Sequence, residues 1–204
     1  MISIIDYRAG NLRSVERALL HLGVACRITG NPLEILSSDR VIFPGVGAAG
    51  QAMDIIKLRG LDEVIREVVD NHIPFLGICL GAQIVLGGSK EDDTECLNLI
   101  PGKARRFSRS NLTIPHMGWN TIVPIQTHPI LDGIDARAQF YFVHSYYPEP
   151  ERDRHIIATT EYGITFASII GRDNVVATQF HLEKSGSFGL SILKNFSKWD
   201  VAVR

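Results

Sequence analysis

The sequence predicts an α/β protein: one domain, a mostly parallel central sheet flanked by helices, and a more β-rich C-terminal half. Three observations carry this. The chain has 204 residues, an ordinary single-domain length with enough chain to bury a core. Its N-terminal part alternates strand-like and helix-like segments, the pattern of a parallel sheet covered on both faces. Past about residue 100 the helical spacing gives way to short β-rich runs separated by turns. No linker, repeat or low-complexity stretch divides it, so a single domain over 1–204 is the expectation.

The elements follow in order. "MISIID" reads as a short apolar strand ending at Asp6. In "NLRSVERALLHLG", Leu12, Val15, Leu19 and Leu22 recur at three and four residues, which is helical spacing, and Gly23 closes the helix. "ACRIT" and "RVIFPG" are strands joined by a short connection. "GQAMDIIKLRG" and "LDEVIREVVDNH" are helical, "IPFLGIC" is the fourth strand, and a helix follows it. The β-rich part comprises "KARRFS", "HMGWNTIVP", "QFYFVHSYY", "HIIATTEYG", "ITFASIIG" and "NVVATQFH", with Gly171, Arg172 and Asp173 expected to turn a hairpin. Phe188, Ile192, Phe196 and Trp199 mark a final helix.

Composition narrows the function classes. Hydrophobic residues make up 45%, charged residues 21%, and the formal net charge is −1. With no basic block and no acidic tail, neither nucleic acid nor a membrane surface is an expected partner. "MISIIDYRAGNL" lacks a signal-peptide layout, and no apolar run approaches the roughly 18 residues of a membrane span. A cytoplasmic location is expected. Cys26, Cys79 and Cys96 are odd in number and widely spaced, with no C-x-x-C pair, so free thiols are expected rather than a metal site or a disulfide.

One cysteine stands apart. "PFLGICLGAQ" places Cys79 between Gly77 and Gly81, where a strand-like run ends and a helix-like run begins. G-x-C-x-G at such a junction is the thiol counterpart of the G-x-S-x-G elbow. A sharp turn lifts the nucleophile clear of the backbone, and only glycine fits beside it. The following helix start is expected to favour the thiolate. A chance G-x-C-x-G at a tight strand–helix contact is the alternative.

A cysteine nucleophile needs a base, and the base needs an orienting group. Of seven histidines, His21 and His72 fall in helical stretches facing solvent, His128 precedes a proline in a turn, and His155 lies among charges at a strand start. His116 and His144 are embedded in strand-like apolar runs. His181 in "VVATQFHLEKSG" is the strongest candidate, because Glu183 lies two residues on and an extended chain points both the same way. A carboxylate there fixes the tautomer and stabilises the imidazolium. A third piece is "VIFPGVGAAG": glycines after a strand expose backbone N–H groups to a developing oxyanion. A phosphate loop is a weaker reading, since the Walker lysine and the G-x-G-x-x-G spacing are missing. An ordinary glycine-rich connection stays open.

Taken together, "IDYRAGNLRSV", "FPGVGA", "GICLGAQ", "PHMGWN", "YFVHSYY" and "QFHLEKSG" resemble the class I (triad) glutamine amidotransferases over essentially the whole chain. "PHMGWN" and "YFVHSYY" resemble the branch formed by the glutaminase subunits of imidazole glycerol phosphate synthase, of histidine biosynthesis. The resemblance implies a Cys79–His181–Glu183 triad forming a glutamyl thioester. It implies an oxyanion hole from the backbone of Val46, Gly47 and Leu80. It implies glutamine contacts from Gln83 and Glu91 and from the backbone of His144, Ser145 and Tyr146. No cofactor or metal is implied. The implied partner is a (β/α)8-barrel cyclase subunit, in a heterodimer with contacts at Asn11, Trp119, Tyr141 and Lys184.

Three positions depart from the family pattern. Leu182 replaces a common proline; leucine keeps an extended strand possible there, and the triad is expected to survive. Arg8 stands where glycine is common, which puts the local turn in question. Lys90 replaces an acidic residue beside Glu91 and is expected to alter the field there. Other readings stay open on sequence: a paralogous subunit with a different acceptor, a catalytically silent module, and a cysteine peptidase or γ-glutamyl hydrolase with the same elbow.

Overall fold

The computed structural model describes residues 1–8, 10–108 and 112–201. Its N-terminal part contains strands β1 (Ile2–Ile5), β2 (Cys26–Thr29), β3 (Arg40–Gly45) and β4 (Phe75–Cys79). Between and after them lie helices α1 (Leu12–His21), α2 (Pro32–Leu36), α3 (Ala49–Leu58), α4 (Leu61–Asp70) and α5 (Leu80–Ile84). Then follow β5 (Leu86–Ser89), β6 (Thr94–Glu95), β7 (Ile100–Arg106), β8 (His116–Thr121), β9 (Val123–Pro124), β10 (Gln139–His144) and β11 (Tyr146–Pro150). Strands β12 (Ile156–Glu161), β13 (Thr165–Arg172) and β14 (Val175–Thr178) and helix α6 (Gly186–Lys198) complete the chain.

An eight-stranded sheet in the order β2-β1-β3-β4-β14-β13-β12-β9 organises these elements. From β2 to β14 it is parallel, and beyond β14 it is antiparallel. Strand alternation sorts the core into two layers. Ile5, Val41, Phe43 and Phe75 face α3 and α4, while Ile4, Ile42, Leu76 and Ile78 face α1 and α6. Burial on both faces is why these strands read as continuous apolar runs. Helix α4 shows how a helix is held: Leu61, Val64, Ile65 and Val68 form its buried stripe, each contributing roughly 1.5–3 kcal/mol. Two smaller sheets, β10-β8 and β11-β7-β5-β6, flank the C-terminal half. Among the described residues no helix is long and apolar enough to cross a membrane.

The structure corrects three local expectations. The connection between "ACRIT" and "RVIFPG" contains α2, where Asn31 Oδ1 accepts from Leu33 N at 3.0 Å and Pro32 opens the helix. A five-residue helix is too short to show periodicity. Helix α5 after Cys79 is equally short, and the chain re-enters a sheet at Leu86. The last hairpin turns at Asp173 and Asn174, because Gly171 and Arg172 still pair with Val176 and Val175. Asp173 takes the left-handed conformation at φ 52° that such a turn needs. Cys26, Cys79 and Cys96 are free thiols.

Candidate active site

The site forms at the carboxyl ends of three adjacent parallel strands, where open α/β sheets place their ligands. Gly45 of β3 pairs with Cys79 of β4, and Ile78 of β4 pairs with Thr178 of β14, so the glycine loop, the nucleophile and the histidine segment emerge side by side. Cys79 sits at φ 55°, ψ −100°, a conformation that costs a non-glycine residue of order 1–3 kcal/mol. The flanking glycines make the turn possible. A Cβ on Gly77 would lie 2.8 Å from the Gly81 carbonyl, and one on Gly81 would lie 2.6 Å from the Phe43 carbonyl oxygen. Residues so over-determined hold the strain in place.

His181 Nδ1 lies 2.8 Å from Glu183 Oε1, and the two side chains are only 3% and 2% exposed. The carboxylate accepts, so Nδ1 carries a proton and Nε2 is left for chemistry. No partner meets hydrogen-bond geometry at Nε2, but the Cys79 sulfur is near enough to act on it. Burial opposes charging this imidazole, and the bonds and charges of Cys79 and Glu183 outweigh it, so His181 is held well above the ordinary imidazole range. The expected extended H-x-E strand does not form. The chain enters a 3-10 turn at Leu182–Lys184, and the histidine meets the glutamate across that turn. Leu182 fills the core beneath, so leucine is accommodated by the turn rather than by a strand. On the other side His181 N donates to Tyr141 O at 3.0 Å, pinning the segment to β10.

Leu80 is the first residue of α5, next to the nucleophile. In the opposing loop Val46 is 42% exposed and Gly47 takes φ 98°. Tyr7, part of "IDYRAGNLRSV" but given no role by the sequence, lies beneath this loop. Its ring stacks on Phe43 at 4.7 Å, and a Cβ on Gly45 would meet its hydroxyl at 3.2 Å. Burial pushes that hydroxyl up to about 12, opposed by the Val46 backbone and reinforced by Cys79.

Gln83 is buried, and its Nε2 donates to Tyr146 O at 3.3 Å and to Gln179 Oε1 at 3.4 Å. Gln179 Nε2 lies 3.8 Å from Cys79 Sγ. Sequence reasoning misses Gln179 as well, although it stands two residues before His181, the spacing of residues that share a strand face. His144 and Tyr146 flank Ser145 at the junction of β10 and β11, and Ser145 O accepts from Phe107 N at 3.1 Å. His144 Nδ1 donates to Tyr146 O at 2.8 Å, and His116 Nδ1 lies 3.0 Å from His144 Nε2. Burial holds both rings below the ordinary imidazole range, His116 to about 4 and His144 to about 3. They are a neutral pair supporting the Tyr146 carbonyl.

Glu91 has a structural bond of its own: Oε2 accepts from Ala49 N at 2.6 Å, tying it to the start of α3 just beyond the glycine loop. Lys90 is paired with Asp93 at 2.8 Å, so its charge is directed there. Arg8 takes φ 66°, with its N–H donating to Asp6 Oδ1 at 2.8 Å, which is the left-handed turn that glycine forms without cost. Trp119, 54% exposed, and Tyr141 lie with ring centroids 6.0 Å apart, and Lys184 Nζ stands 5.8 Å from the Tyr141 ring. Asn11 is not part of that stack; its Oδ1 accepts from Ser14 Oγ at 2.8 Å.

The family model described as "Glutamine amidotransferase class-I" matches residues 3–199. This chain belongs to that family. Among its relatives, "Imidazole glycerol phosphate synthase subunit HisH" of Desulfovibrio desulfuricans is 49% identical over 98% of this chain and 94% of its own length. The protein of the same description from Nitratidesulfovibrio vulgaris strain DP4 is 50% identical, covering 98% and 96%. Among solved structures, PurLQS from Thermotoga maritima shares the fold with a TM-score of 0.75 at 14% identity, covering 97% of each chain. The glutaminase domain of Trypanosoma brucei CTPS matches with a TM-score of 0.64 at 17% identity, covering 98% and 94%. At such identities these two speak for the fold alone.

Proposed function

We propose that this chain is the glutaminase subunit of imidazole glycerol phosphate synthase, hydrolysing glutamine to glutamate and passing ammonia to a cyclase subunit in histidine biosynthesis. The observation that carries the chemistry is the strained Cys79 beside a buried His181–Glu183 pair at the ends of β4 and β14. The choice of acceptor is supported by the relatives of about half identity over nearly their whole length.

The chemistry follows from the charges. The Cys79 thiol gives its proton to His181 Nε2, the imidazolium being stabilised by Glu183, and the sulfur reacts as thiolate. The thiolate attacks the side-chain amide carbon of glutamine, and the carbonyl electrons move to oxygen. Backbone N–H groups of Leu80, Val46 and Gly47 receive that oxyanion. His181 Nε2 gives its proton to the departing nitrogen, so ammonia leaves and a glutamyl thioester remains. The histidine, now neutral, takes a proton from water, which cleaves the thioester to glutamate. Glu183 keeps the ring in one tautomer throughout.

Gln83 Nε2 is occupied by protein acceptors, leaving its Oε1 to accept from the substrate. Glu91 receives the substrate ammonium, and the backbone of His144, Ser145 and Tyr146 brackets its carboxylate. The partner is a (β/α)8-barrel cyclase in a heterodimer, with contacts at Asn11 and at the stack of Trp119, Tyr141 and Lys184. The complex works in the cytoplasm. Acid quenching of the complex during turnover of labelled glutamine tests the chemistry. Label should be retained on the Cys79 peptide as a thioester, and its complete absence from Cys79 under single-turnover conditions would contradict the covalent route.

A further inference from the structure

The orientation of two buried glutamine amides is decided by one backbone carbonyl. Tyr146 O only accepts, so the Gln83 atom 3.3 Å from it is the NH2 group. The same nitrogen lies 3.4 Å from the Gln179 amide, whose facing atom must then be oxygen. The far end of that amide is therefore NH2, and it lies 3.8 Å from Cys79 Sγ. His144 Nδ1 donates to the same carbonyl at 2.8 Å and keeps it in place. Gln179 itself is fully buried, with its backbone N–H donating to Ser168 O at 2.9 Å. Nothing in the acyl-transfer chemistry above uses this side chain. It also stands where a donor is needed, because α5 has only five residues and its few aligned peptides give a weak dipole at the sulfur.

We propose that Gln179 is a further catalytic residue, whose side-chain amide donates a hydrogen bond to the Cys79 thiolate and holds it for attack, with its orientation locked through Gln83 by the Tyr146 carbonyl. The bond is to a sulfur anion and so gains from charge. Gln179 exchanges no proton. As the sulfur lone pair forms the C–S bond, the negative charge moves to the substrate oxygen and the Gln179 contact weakens, while His181 still supplies the proton that releases ammonia. Its task differs from the histidine's: it stabilises the nucleophile without being consumed, and it remains a donor when the thioester is hydrolysed and sulfur becomes the leaving group.

The test is the pH profile of Cys79 alkylation by iodoacetamide in the full chain, followed on the Cys79 peptide by mass spectrometry because Cys26 and Cys96 are also free. In Gln179→Leu the midpoint should rise by about one pH unit, which is about a tenfold loss of reactivity below the midpoint. In the complex, kcat should fall about tenfold with KM nearly unchanged. Gln179→Glu keeps the shape and sets a carboxylate against the sulfur, so its midpoint should rise further. It decides the matter if the leucine variant does not fold. A merely structural role would lower the melting temperature and leave the midpoint in place. Wild-type midpoints in both variants would overturn the proposal. The proposal rests on the glutaminase reading only for its kinetic arm: a shifted midpoint in a chain that never releases glutamate would sink that reading and leave the Gln179–Cys79 bond standing.

Discussion

The nucleophile elbow and the glycine loop face each other across the site and are built in opposite ways. At the elbow, added Cβ atoms at Gly77 and Gly81 would lie 2.8 and 2.6 Å from backbone, and Cys79 is held at φ 55° by that packing. In the loop, a Cβ on Gly47 would meet nothing within 4 Å, and Val46 is 42% exposed. The elbow has one arrangement. The loop has room for a peptide flip, which would turn an N–H toward or away from the oxyanion position. The difference teaches where control lies: the elbow is fixed by its packing, and we propose that the oxyanion hole in the looser loop is completed when the partner is liganded. Glu91 joins the two regions, since a carboxylate proposed to receive the substrate ammonium also binds Ala49 N just beyond the loop.

Breaking the elbow chemically should give the largest effect. Cys79→Ser should lower glutamate release by about 10⁴-fold or more with the chain folded and the cyclase still bound; substantial turnover would remove the nucleophile assignment. Next comes the steric contrast. Gly81→Ala forces a methyl against the Phe43 carbonyl and should cost about 3 kcal/mol in urea unfolding. Gly47→Ala carries only its φ cost, about 1 kcal/mol. Equal penalties would abolish the distinction between the two regions. Gly47→Ala should instead show its main effect as reduced stimulation by the liganded partner.

The support beneath the pocket gives a pH signature. His116 and His144 are held below their ordinary values, to about 4 and about 3, so the folded pair is neutral while the unfolded chain takes up protons first as pH falls. Their contribution is complete above the ordinary imidazole range and is lost as pH drops from there toward 4, by up to about 1.4 kcal/mol per pH unit per histidine. Burial also holds His128 to about 4 and His155 below its ordinary value, so in His116→Asn the slope of urea stability between pH 7 and pH 5 should fall by one histidine's share, roughly a quarter to a third. The smallest effect lies on the loose side. Arg8→Gly relieves the left-handed φ of 66° and should stabilise the chain by about 0.5–1 kcal/mol, measured by the same unfolding curves; a net loss would mean that the arginine side chain offsets the strain.

What is legible in the sequence is what short spacing encodes. The elbow glycines sit two residues from Cys79, Glu183 sits two from His181, and the strand–helix alternation marks the parallel part of the sheet. The H-x-E contact is predicted through the wrong geometry, because a 3-10 turn and a strand place residues i and i+2 near each other in different ways. Tyr7 and Gln179 escape sequence reasoning for a different reason. Each acts through residues far along the chain, Tyr7 beneath the loop after β3 and Gln179 between Gln83 and Cys79, and no local pattern marks such contacts. The pairing of β8 with β10, which sets Trp119 beside Tyr141, is likewise non-local. Helix α2 escapes because it is a single turn whose only signal is Asn31-Pro32.

The most direct measurement is glutamate release from glutamine by this chain with the cyclase subunit, with and without the cyclase's ribulosyl substrate. The account predicts slow release by the chain alone and a large rise when partner and ligand are both present. Full activity of the isolated chain, or no rise in a folded and bound complex, would contradict a partner-completed oxyanion hole and the assignment of the acceptor.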